Sequence, residues 1–218
     1  MKKFLVLILA AAAMLSANSC CNCGDEYGYV IKDGVAVYNT PERPADQVSM
    51  IGFAAEPIEK VRVGFIGLGD RGDGAIQRYV YIDGAEIVAL CDIEEDRVKK
   101  AQTYLAEHGR PAADEYFGSE DAWKEMCQRE DLDLIYIVTD WAMHTPMAVY
   151  AMEQGKHVAI EVPAATSIDE CWQLVNTAEK TQRHCMMLEN CVYDFFELTT
   201  LNMAQHGLFG EVIHAEGA

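Results

Sequence analysis

The sequence predicts an α/β protein with a doubly wound parallel sheet, and three observations carry this prediction. From Val61 onwards, short apolar runs alternate with segments of helical periodicity, which is the pattern of βαβ units. The apolar runs are almost continuous, as expected for strands that are buried on both faces of a sheet. Half of the 218 residues are apolar, which is enough for a folded core.

The predicted strands and helices alternate through the central part of the chain. The strands are predicted at Val61–Ile66, Glu86–Cys91, near Tyr116, Asp133–Val138, His157–Ile160 and His184–Leu188. The helices are predicted at Gly72–Ile82, Glu94–His108, Glu120–Gln128, Pro146–Gln154, Ile168–Thr181 and Asp194–Gln205. Pro146 is expected in a first helical turn, where its missing N–H costs nothing. Gly109 and Gly155 are expected to follow helix ends.

The chain divides into four predicted regions. Residues 1–19 are predicted to be a signal peptide, and residues 20–60 a linker or arm with a small hairpin at Tyr29–Tyr38. The nucleotide-binding domain covers residues 61–190. Residues 191–218 begin a second α+β domain, whose first strand is Val212–Glu216. Because a lone strand is not stable, we expect this domain to be truncated and the chain to be a fragment of a longer protein.

The first 19 residues have the layout of a secretory signal. Two lysines precede a 12-residue apolar run at Phe4–Leu15, shorter than the about 20 residues that cross a bilayer as a helix. The segment that ends at Cys20 resembles a bacterial lipoprotein cleavage site. We therefore expect an exported, cell-envelope lipoprotein that is anchored to the membrane through Cys20. The alternative is cleavage near Ala17 or Ser19, which gives a periplasmic or secreted protein.

The eight cysteines do not form the pattern of a disulfide framework or a metal site. Three of them lie at or next to the predicted lipidation site. The others are scattered through apolar segments without the spacing of metal ligands, at Cys91, Cys127, Cys171, Cys185 and Cys191. We expect these five to be buried free thiols, and we expect no metal.

The charge of the chain excludes one class of partner. Thirty-five acidic residues stand against 17 basic ones, for a formal net charge of −18. Such a surface repels phosphate backbones, so we expect no nucleic-acid partner. An anionic ligand must therefore be held by local positive groups. The sequence leaves the oligomeric state open, including a homo-oligomer.

A glycine-rich loop, G-L-G-D-R-G at residues 67–72, follows the first strand and opens a helix. Gly67 is expected to permit the tight turn, Gly69 to let the backbone approach a pyrophosphate, and Gly72 to allow close packing of helix and strand. The N–H groups at the helix start face the phosphates. Arg71 adds a cation there or, alternatively, is a solvated surface charge. This loop predicts a Rossmann-type dinucleotide-binding domain.

Asp92 ends the second predicted strand, 20 residues after Gly72. An acid at this place accepts hydrogen bonds from the adenosine ribose hydroxyls, and its charge repels a 2′-phosphate. The predicted cofactor is therefore NAD rather than NADP. The alternative role for Asp92 is that of a helix N-cap, and the two roles are compatible.

Two further strand ends carry polar and aromatic residues. Residues 138–146 follow the fourth strand, and I-E-V-P at residues 160–163 follows the fifth. Ligands of open α/β sheets bind beyond the carboxyl ends of the strands. Although a lone His or Trp more often serves packing, this position favours contact with the nicotinamide half of the cofactor.

Together these motifs resemble the Gfo/Idh/MocA oxidoreductase superfamily and, within it, glycoside hydrolase family 109, the NAD-dependent α-N-acetylgalactosaminidases. The resemblance runs from about Pro57 to the C-terminus. Its distinctive runs are E-V-P-A-A-T at 161–166, M-M-L-E-N at 186–190 and F-G-E-V-I-H-A-E-G at 209–217. By position, the resemblance implies NAD contacts from Asp70, Arg71, Asp92, Trp141, Ala142, Met143, His144, Glu161, Val162 and Asn190.

Position 162 discriminates between two activities within the superfamily. Ordinary sugar dehydrogenases resemble E-K-P at this place, and their lysine serves in proton transfer to or from the alcohol. Here the residue is Val162, which cannot titrate. The resemblance to family 109 includes this valine and therefore implies a glycosidase.

The resemblance also implies a mechanism and a substrate. The substrate is a glycan with terminal α-linked N-acetylgalactosamine, and the steps are transient oxidation at carbon 3, elimination, water addition and re-reduction. Family members place their substrate-binding and proton-transfer residues in the second domain, beyond Ala218. We therefore assign no catalytic residue in this chain and expect the fragment alone to be inactive. The alternatives are a net NAD-dependent sugar oxidoreductase and a non-catalytic NAD-binding fragment.

Overall fold

The computed structural model describes residues 29–38 and 47–216, which belong to two separate units. In the first unit, β1 (Tyr29–Lys32) and β2 (Val35–Tyr38) pair in antiparallel orientation. The two turn residues, Asp33 and Gly34, have positive φ angles of 51° and 80°, as a two-residue hairpin turn requires. The predicted hairpin is confirmed, whereas the predicted signal peptide and Cys20 lie outside the described residues.

The second unit contains a six-stranded parallel sheet. Its strands are β3 (Val61–Ile66), β4 (Ala85–Cys91), β5 (Asp114–Tyr116), β6 (Leu134–Ile137), β7 (His157–Ile160) and β8 (Cys185–Met187). They lie in the order β5-β4-β3-β6-β7-β8, and each pair of neighbours is parallel. Counted from the first strand of the sheet, this is the 3-2-1-4-5-6 order of the doubly wound Rossmann fold. The predicted fold class is confirmed.

Helices cover both faces of this sheet. They are α1 (Asp70–Tyr79), α2 (Glu95–Glu107), α3 (Ala122–Cys127), α4 (Trp141–Glu153) and α5 (Ile168–Thr181). A 3-10 helix at Asn190–Tyr193 and α6 (Phe195–Gln205) follow, and no residue of either is buried. Adjacent residues of β3 belong to opposite cores. Phe65 packs in one cluster with Ile76 of α1 and Leu105 of α2, and Ile66 packs in the other with Met126 of α3. All five are buried, and the burial of adjacent strand residues on opposite faces explains the continuous apolar runs of the strands.

The predicted bounds of two helices were wrong by three residues or more at one end. Helix α4 starts at Trp141 and not at Pro146, because the side chain of Asp140 accepts a hydrogen bond from the N–H of Ala142 and caps the helix five residues earlier. Pro146 therefore lies in the second turn, where the helix forgoes one backbone hydrogen bond. Helix α1 likewise spans Asp70–Tyr79, so it begins and ends before the predicted bounds.

The segment Val212–Glu216 is not a strand, contrary to the prediction. A strand needs a partner for its backbone groups, and no strand in residues 29–38 or 47–216 pairs with this segment. The structure thus contains no element of a second sheet at this place. Among the helices of these same two ranges, none is both long and apolar enough to cross a membrane.

The five scattered cysteines are free, as predicted, but their burial differs from the prediction. Cys91 and Cys127 are buried, and burial raises the pKa of each thiol to about 12, so both stay protonated and unreactive. Cys185 is half-buried. Cys171 and Cys191 are exposed, because one lies in the first turn of α5 and the other in the 3-10 helix, none of whose residues is buried.

Candidate functional site

A cleft of about 650 Å³ opens at the carboxyl ends of β3, β4 and β6. It lies at the topological switch point, where the strand order reverses and open α/β sheets bind their ligands. Loops that follow four different strands line it. Their polar and flanking residues include Gly67, Gly69, Asp70, Arg71, Asp92, Ile93, Arg97, Ser119, Glu120, Thr139, Asp140 and Met143.

The three glycines of the loop after β3 differ in whether the fold could accommodate a side chain at their positions. Gly67 has a φ of +92°, and a Cβ there would lie 2.3 Å from the carbonyl oxygen of Val138. A Cβ at Gly72 would lie 2.2 Å from the carbonyl oxygen of Gly67, so helix and loop are in direct contact. A Cβ at Gly69 would meet no atom within 4 Å. Gly67 and Gly72 are therefore required by the fold, whereas Gly69 leaves open space beside the cleft.

The N-terminus of α1 faces this cleft without a side-chain cap. Its N-cap residue is Gly69, and no side chain accepts a hydrogen bond from the first turn. Uncapped N–H groups and the helix dipole favour an anion at this position. Asp70 lies in the first turn and lines the cleft. Because its carboxylate repels a phosphate, we expect Asp70 to contact the cofactor through its backbone N–H.

Asp92 follows β4 and joins three parts of the site. Its Oδ2 accepts a hydrogen bond of 2.7 Å from the N–H of Leu68, in the glycine loop. Its Oδ1 accepts one of 2.9 Å from the N–H of Glu94 and lies 3.4 Å from Nη1 of Arg97. The helix N-cap is Glu94, so Asp92 lies two residues before the cap and supports it through a local turn.

Arg71 is paired rather than free. Its Nε donates a hydrogen bond of 2.8 Å to Oε1 of Glu161, and its Nη2 donates one of 3.1 Å to Oδ1 of Asn190. The carboxylate of Glu161 raises the pKa of the Arg71 guanidinium, which stays charged. Three residues that are far apart in sequence, all predicted for the cofactor site, therefore meet at one point.

A fourth residue joins this group. The hydroxyl of Tyr136, in β6, donates a hydrogen bond of 3.0 Å to the same Oε1 of Glu161. Burial, with the negative charge of Glu161, raises the pKa of Tyr136 well above its usual value. Tyr136 therefore remains protonated and acts as a donor.

The remaining predicted residues follow β6 and β7. The ring of His144 is fully buried, with Nδ1 2.7 Å from the carbonyl oxygen of Pro163 and Nε2 3.2 Å from that of Thr139. His144 thus joins the two loops and does not line the cleft. Trp141 and Val162 are 62% and 40% exposed. The Ala142 N–H is used in the helix cap, and Met143 lines the cleft.

Sequence reasoning missed several residues of this region, among them Arg97, Ser119, Glu120 and Tyr136. Ser119 and Glu120 follow β5, so the strand-end rule that selected residues 141–144 could have found them. A tyrosine inside a buried strand also signals that its hydroxyl has a partner. In the part of the chain that the structure describes, no cluster of His, Cys, Asp and Glu side chains could hold a metal ion.

Comparison with known families gives an assignment for this cleft. Residues 61–189 match the family model described as the oxidoreductase family, NAD-binding Rossmann fold, of the Gfo/Idh/MocA type. The chain belongs to this family. Its cofactor is therefore NAD, and the cleft of this Gfo/Idh/MocA domain fits that cofactor. The uncapped first turn of α1 and the space beside Gly69 suit a pyrophosphate, and Asp92 suits a ribose.

Curated relatives of this Gfo/Idh/MocA protein carry glycosidase names. The chain is 54% identical over 218 residues to glycosyl hydrolase family 109 protein 1 of Bacteroides thetaiotaomicron, a match of 100% of the chain and 46% of the relative. It is 61% identical over 172 residues to an alpha-N-acetylgalactosaminidase of Bacteroides fragilis, a match of 79% of the chain and 40% of the relative. The chain spans less than half the length of these relatives.

Solved structures with the same fold include dehydrogenases. Scyllo-inositol dehydrogenase from Lactobacillus casei, with bound NAD(H) and scyllo-inositol, has a TM-score of 0.61 and 20% identity over 70% of this chain and 43% of that one. The WlbA dehydrogenase from Bordetella pertussis, in complex with NADH and UDP-GlcNAcA, has a TM-score of 0.59 and 22% identity over 69% and 43%. These likenesses support the Rossmann fold.

Proposed function

We propose that this chain is the NAD-binding part of a glycosidase that removes terminal α-linked N-acetylgalactosamine from glycans. The observation that carries the proposal is Val162, a half-exposed valine two residues after the end of β7. By the family resemblance, ordinary sugar dehydrogenases of this superfamily have a titratable lysine at the corresponding place. The names of curated relatives at 54% and 61% identity support the same choice.

The proposed mechanism assigns the contacts with NAD to groups whose surroundings favour those contacts. When NAD is bound, the first-turn N–H groups of α1 would hold the pyrophosphate, and Asp92 would accept hydrogen bonds from the adenosine ribose. By the family resemblance, Glu161 and Asn190, both held by Arg71, would lie towards the nicotinamide, where Val162 would supply an apolar contact. When bound, NAD supplies a reversible oxidation of the sugar, so this chain needs no pair of catalytic carboxylates.

A second candidate is a net NAD-dependent sugar oxidoreductase. The observation that favours it is the fold, which the chain shares with dehydrogenases that bind NAD(H). The two candidates differ in the fate of the cofactor. A glycosidase of this kind regenerates NAD in each turnover, whereas an oxidoreductase accumulates NADH together with oxidised sugar.

One experiment separates them. Protein produced from the complete reading frame is incubated with a chromogenic α-N-acetylgalactosaminide without added NAD, and the β-anomer serves as control. The glycosidase proposal expects release of the chromophore from the α-anomer without accumulation of NADH. Stoichiometric NADH with an oxidised sugar would favour the oxidoreductase instead.

We also propose that the protein is exported and anchored through a lipidated Cys20. The support is the N-terminal sequence, in which a short apolar run precedes Cys20. Metabolic labelling with a radioactive fatty acid tests this proposal. The label should enter the wild-type protein and be absent from Cys20→Ser, and labelling of both proteins would contradict it.

A further inference from the structure

We infer that Tyr136 is a positioning residue of the cofactor site, which acts by holding the carboxylate of Glu161 in place against Arg71. This inference rests on the NAD site proposed above and adds to it a residue from the interior of the sheet.

The ring of Tyr136 is fixed by its neighbours. It lies in β6 and is buried. Its centroid is 4.7 Å from that of Phe65 at an interplanar angle of 18°, and 5.6 Å from that of Tyr79 at 88°. Stacked and edge-on contacts of this kind restrict a ring on two sides. The hydroxyl is therefore presented at one defined point.

That point is Oε1 of Glu161, which accepts a hydrogen bond from Tyr136 at 3.0 Å and another from Nε of Arg71 at 2.8 Å. The Glu161 side chain is 9% exposed, whereas the Arg71 side chain is 49% exposed. A buried carboxylate needs hydrogen-bond donors. Of the two donors, the guanidinium of Arg71 is half exposed to solvent, and the hydroxyl of Tyr136 is on a buried ring that is packed on two sides. The rigid donor of the pair is Tyr136.

The backbone of Glu161 does not depend on this contact. Its N–H donates a hydrogen bond of 2.9 Å to the carbonyl oxygen of Ile137, which continues the pairing of β6 and β7. Loss of the Tyr136 hydroxyl should therefore release the Glu161 side chain and leave the loop in place. Because Arg71 bonds both Glu161 and Asn190, this release reaches the first turn of α1 and the 3-10 helix.

The test begins with Tyr136→Phe, which keeps the ring and removes only the hydroxyl. Titration calorimetry with NAD should give an affinity up to about tenfold weaker than wild type, because NAD binding must then also order the released Glu161 side chain. The matched control is Tyr79→Phe, in the same aromatic cluster, which should bind NAD like wild type. Equal NAD affinity in Tyr136→Phe and wild type would overturn the inference.

A double-mutant cycle separates positioning from general packing. Glu161→Ala removes the acceptor, so Tyr136→Phe should cause no further loss of NAD affinity in that background. Additive losses would show that Tyr136 acts independently of Glu161 and would overturn the inference. If Glu161→Ala itself binds NAD like wild type, the proposed NAD contact of Glu161 fails. If only Glu161→Ala weakens binding, the NAD site stands and the role of Tyr136 fails.

Discussion

The carboxylate of Asp92 and the backbone N–H of Leu68 are joined by a 2.7 Å hydrogen bond that ties the end of β4 to the glycine loop. An ionised carboxylate has about four lone-pair sites. Leu68, Glu94 and Arg97 contribute three donors to Asp92, which leaves room for a ribose hydroxyl. The residue predicted to select the cofactor therefore also shapes the loop that is predicted to bind its phosphates.

Asp92→Ala should weaken NAD binding, relax discrimination against NADP and lower the melting temperature. Loss of a hydrogen bond to a charged group costs about 1.5–3 kcal/mol, or roughly ten- to a hundredfold in affinity. Asp92→Asn is the matched control, because an amide oxygen can still accept from Leu68, and it should be more stable than Asp92→Ala. Calorimetry that finds unchanged NAD affinity in Asp92→Ala would remove the ribose role.

Substitutions of two loop glycines should have separate effects, one on NAD affinity and the other on the stability of the fold. Gly69→Ala has an ordinary φ of −67° and open space, so it should fold normally and bind NAD at least about tenfold more weakly. Gly67→Ala should instead lower the free energy of unfolding by about 2 kcal/mol or more, because of its positive φ and its clash with Val138.

Gly74→Ala, inside α1, is the control for both loop variants. Its Cβ would make an ordinary contact of 3.6 Å with Arg78, so it should stabilise the protein by about 0.5–1 kcal/mol. Urea unfolding and NAD titration of the three variants test this set. Wild-type NAD affinity in Gly69→Ala would contradict the placement of the pyrophosphate.

Asp70→Asn should tighten NAD binding. The Asp70 carboxylate lines the cleft beside the uncapped start of α1 and repels the pyrophosphate, whereas its N–H attracts it. Charges near a helix terminus contribute about 0.3–1 kcal/mol, so the gain should reach at most about fivefold and should shrink in high salt. Titrations at two salt concentrations check this. Weaker binding by Asp70→Asn would mean that the carboxylate itself contacts the cofactor.

An ion pair at the opposite end of the sheet should govern part of the acid stability. Asp133 accepts bonds of 2.7 and 2.9 Å from the Arg62 guanidinium and one of 2.8 Å from the Arg62 N–H, and these contacts lower the pKa of Asp133. A lowered pKa in the folded state stabilises the protein above the unfolded pKa of about 3.9. That contribution is lost as the pH falls through the lower folded value.

Asp133→Asn should therefore unfold more easily than wild type near pH 7. The difference in the free energy of unfolding should decrease below about pH 4, where the unfolded carboxyl of the wild type becomes protonated. Urea unfolding at several pH values measures this difference. A difference that is independent of pH would show that packing, and not the charge of Asp133, makes the contribution.

Val162→Lys should lower glycosidase turnover in protein from the complete reading frame without producing steady net oxidation of the sugar. A lysine replaces the apolar contact with a hydrated, titratable group beside the nicotinamide. Val162→Ile keeps the apolar character and is the control. Chromophore release and NADH absorbance are followed together. Wild-type turnover in Val162→Lys would mean that residue 162 is remote from the reacting centre, and steady NADH production would weaken the glycosidase proposal.

The sheet could be predicted from the sequence because its strands are apolar on both faces and α2 carries one buried stripe, Val98, Ala101 and Leu105. Helix boundaries that depend on a single capping side chain could not be predicted in this way. The Asp140 cap starts α4 five residues before Pro146, although proline in a first turn is the commoner pattern. The pairing of Arg71 with Glu161, 90 residues later, follows only from the packing of two loops. The prediction of a strand at Val212–Glu216 was wrong because a strand forms only when a second segment pairs with it, and the sequence of one segment does not show whether such a partner is present.

The proposed NAD-dependent glycosidase is tested most directly by hydrolysis of an α-N-acetylgalactosaminide in D₂O, followed by NMR of the released sugar. Transient oxidation at carbon 3 makes the proton on carbon 2 exchangeable with solvent. We expect N-acetylgalactosamine with deuterium at carbon 2 and hydrogen at carbon 3. Release of sugar that retains hydrogen at carbon 2 would contradict the proposal, because ordinary hydrolysis leaves that bond intact.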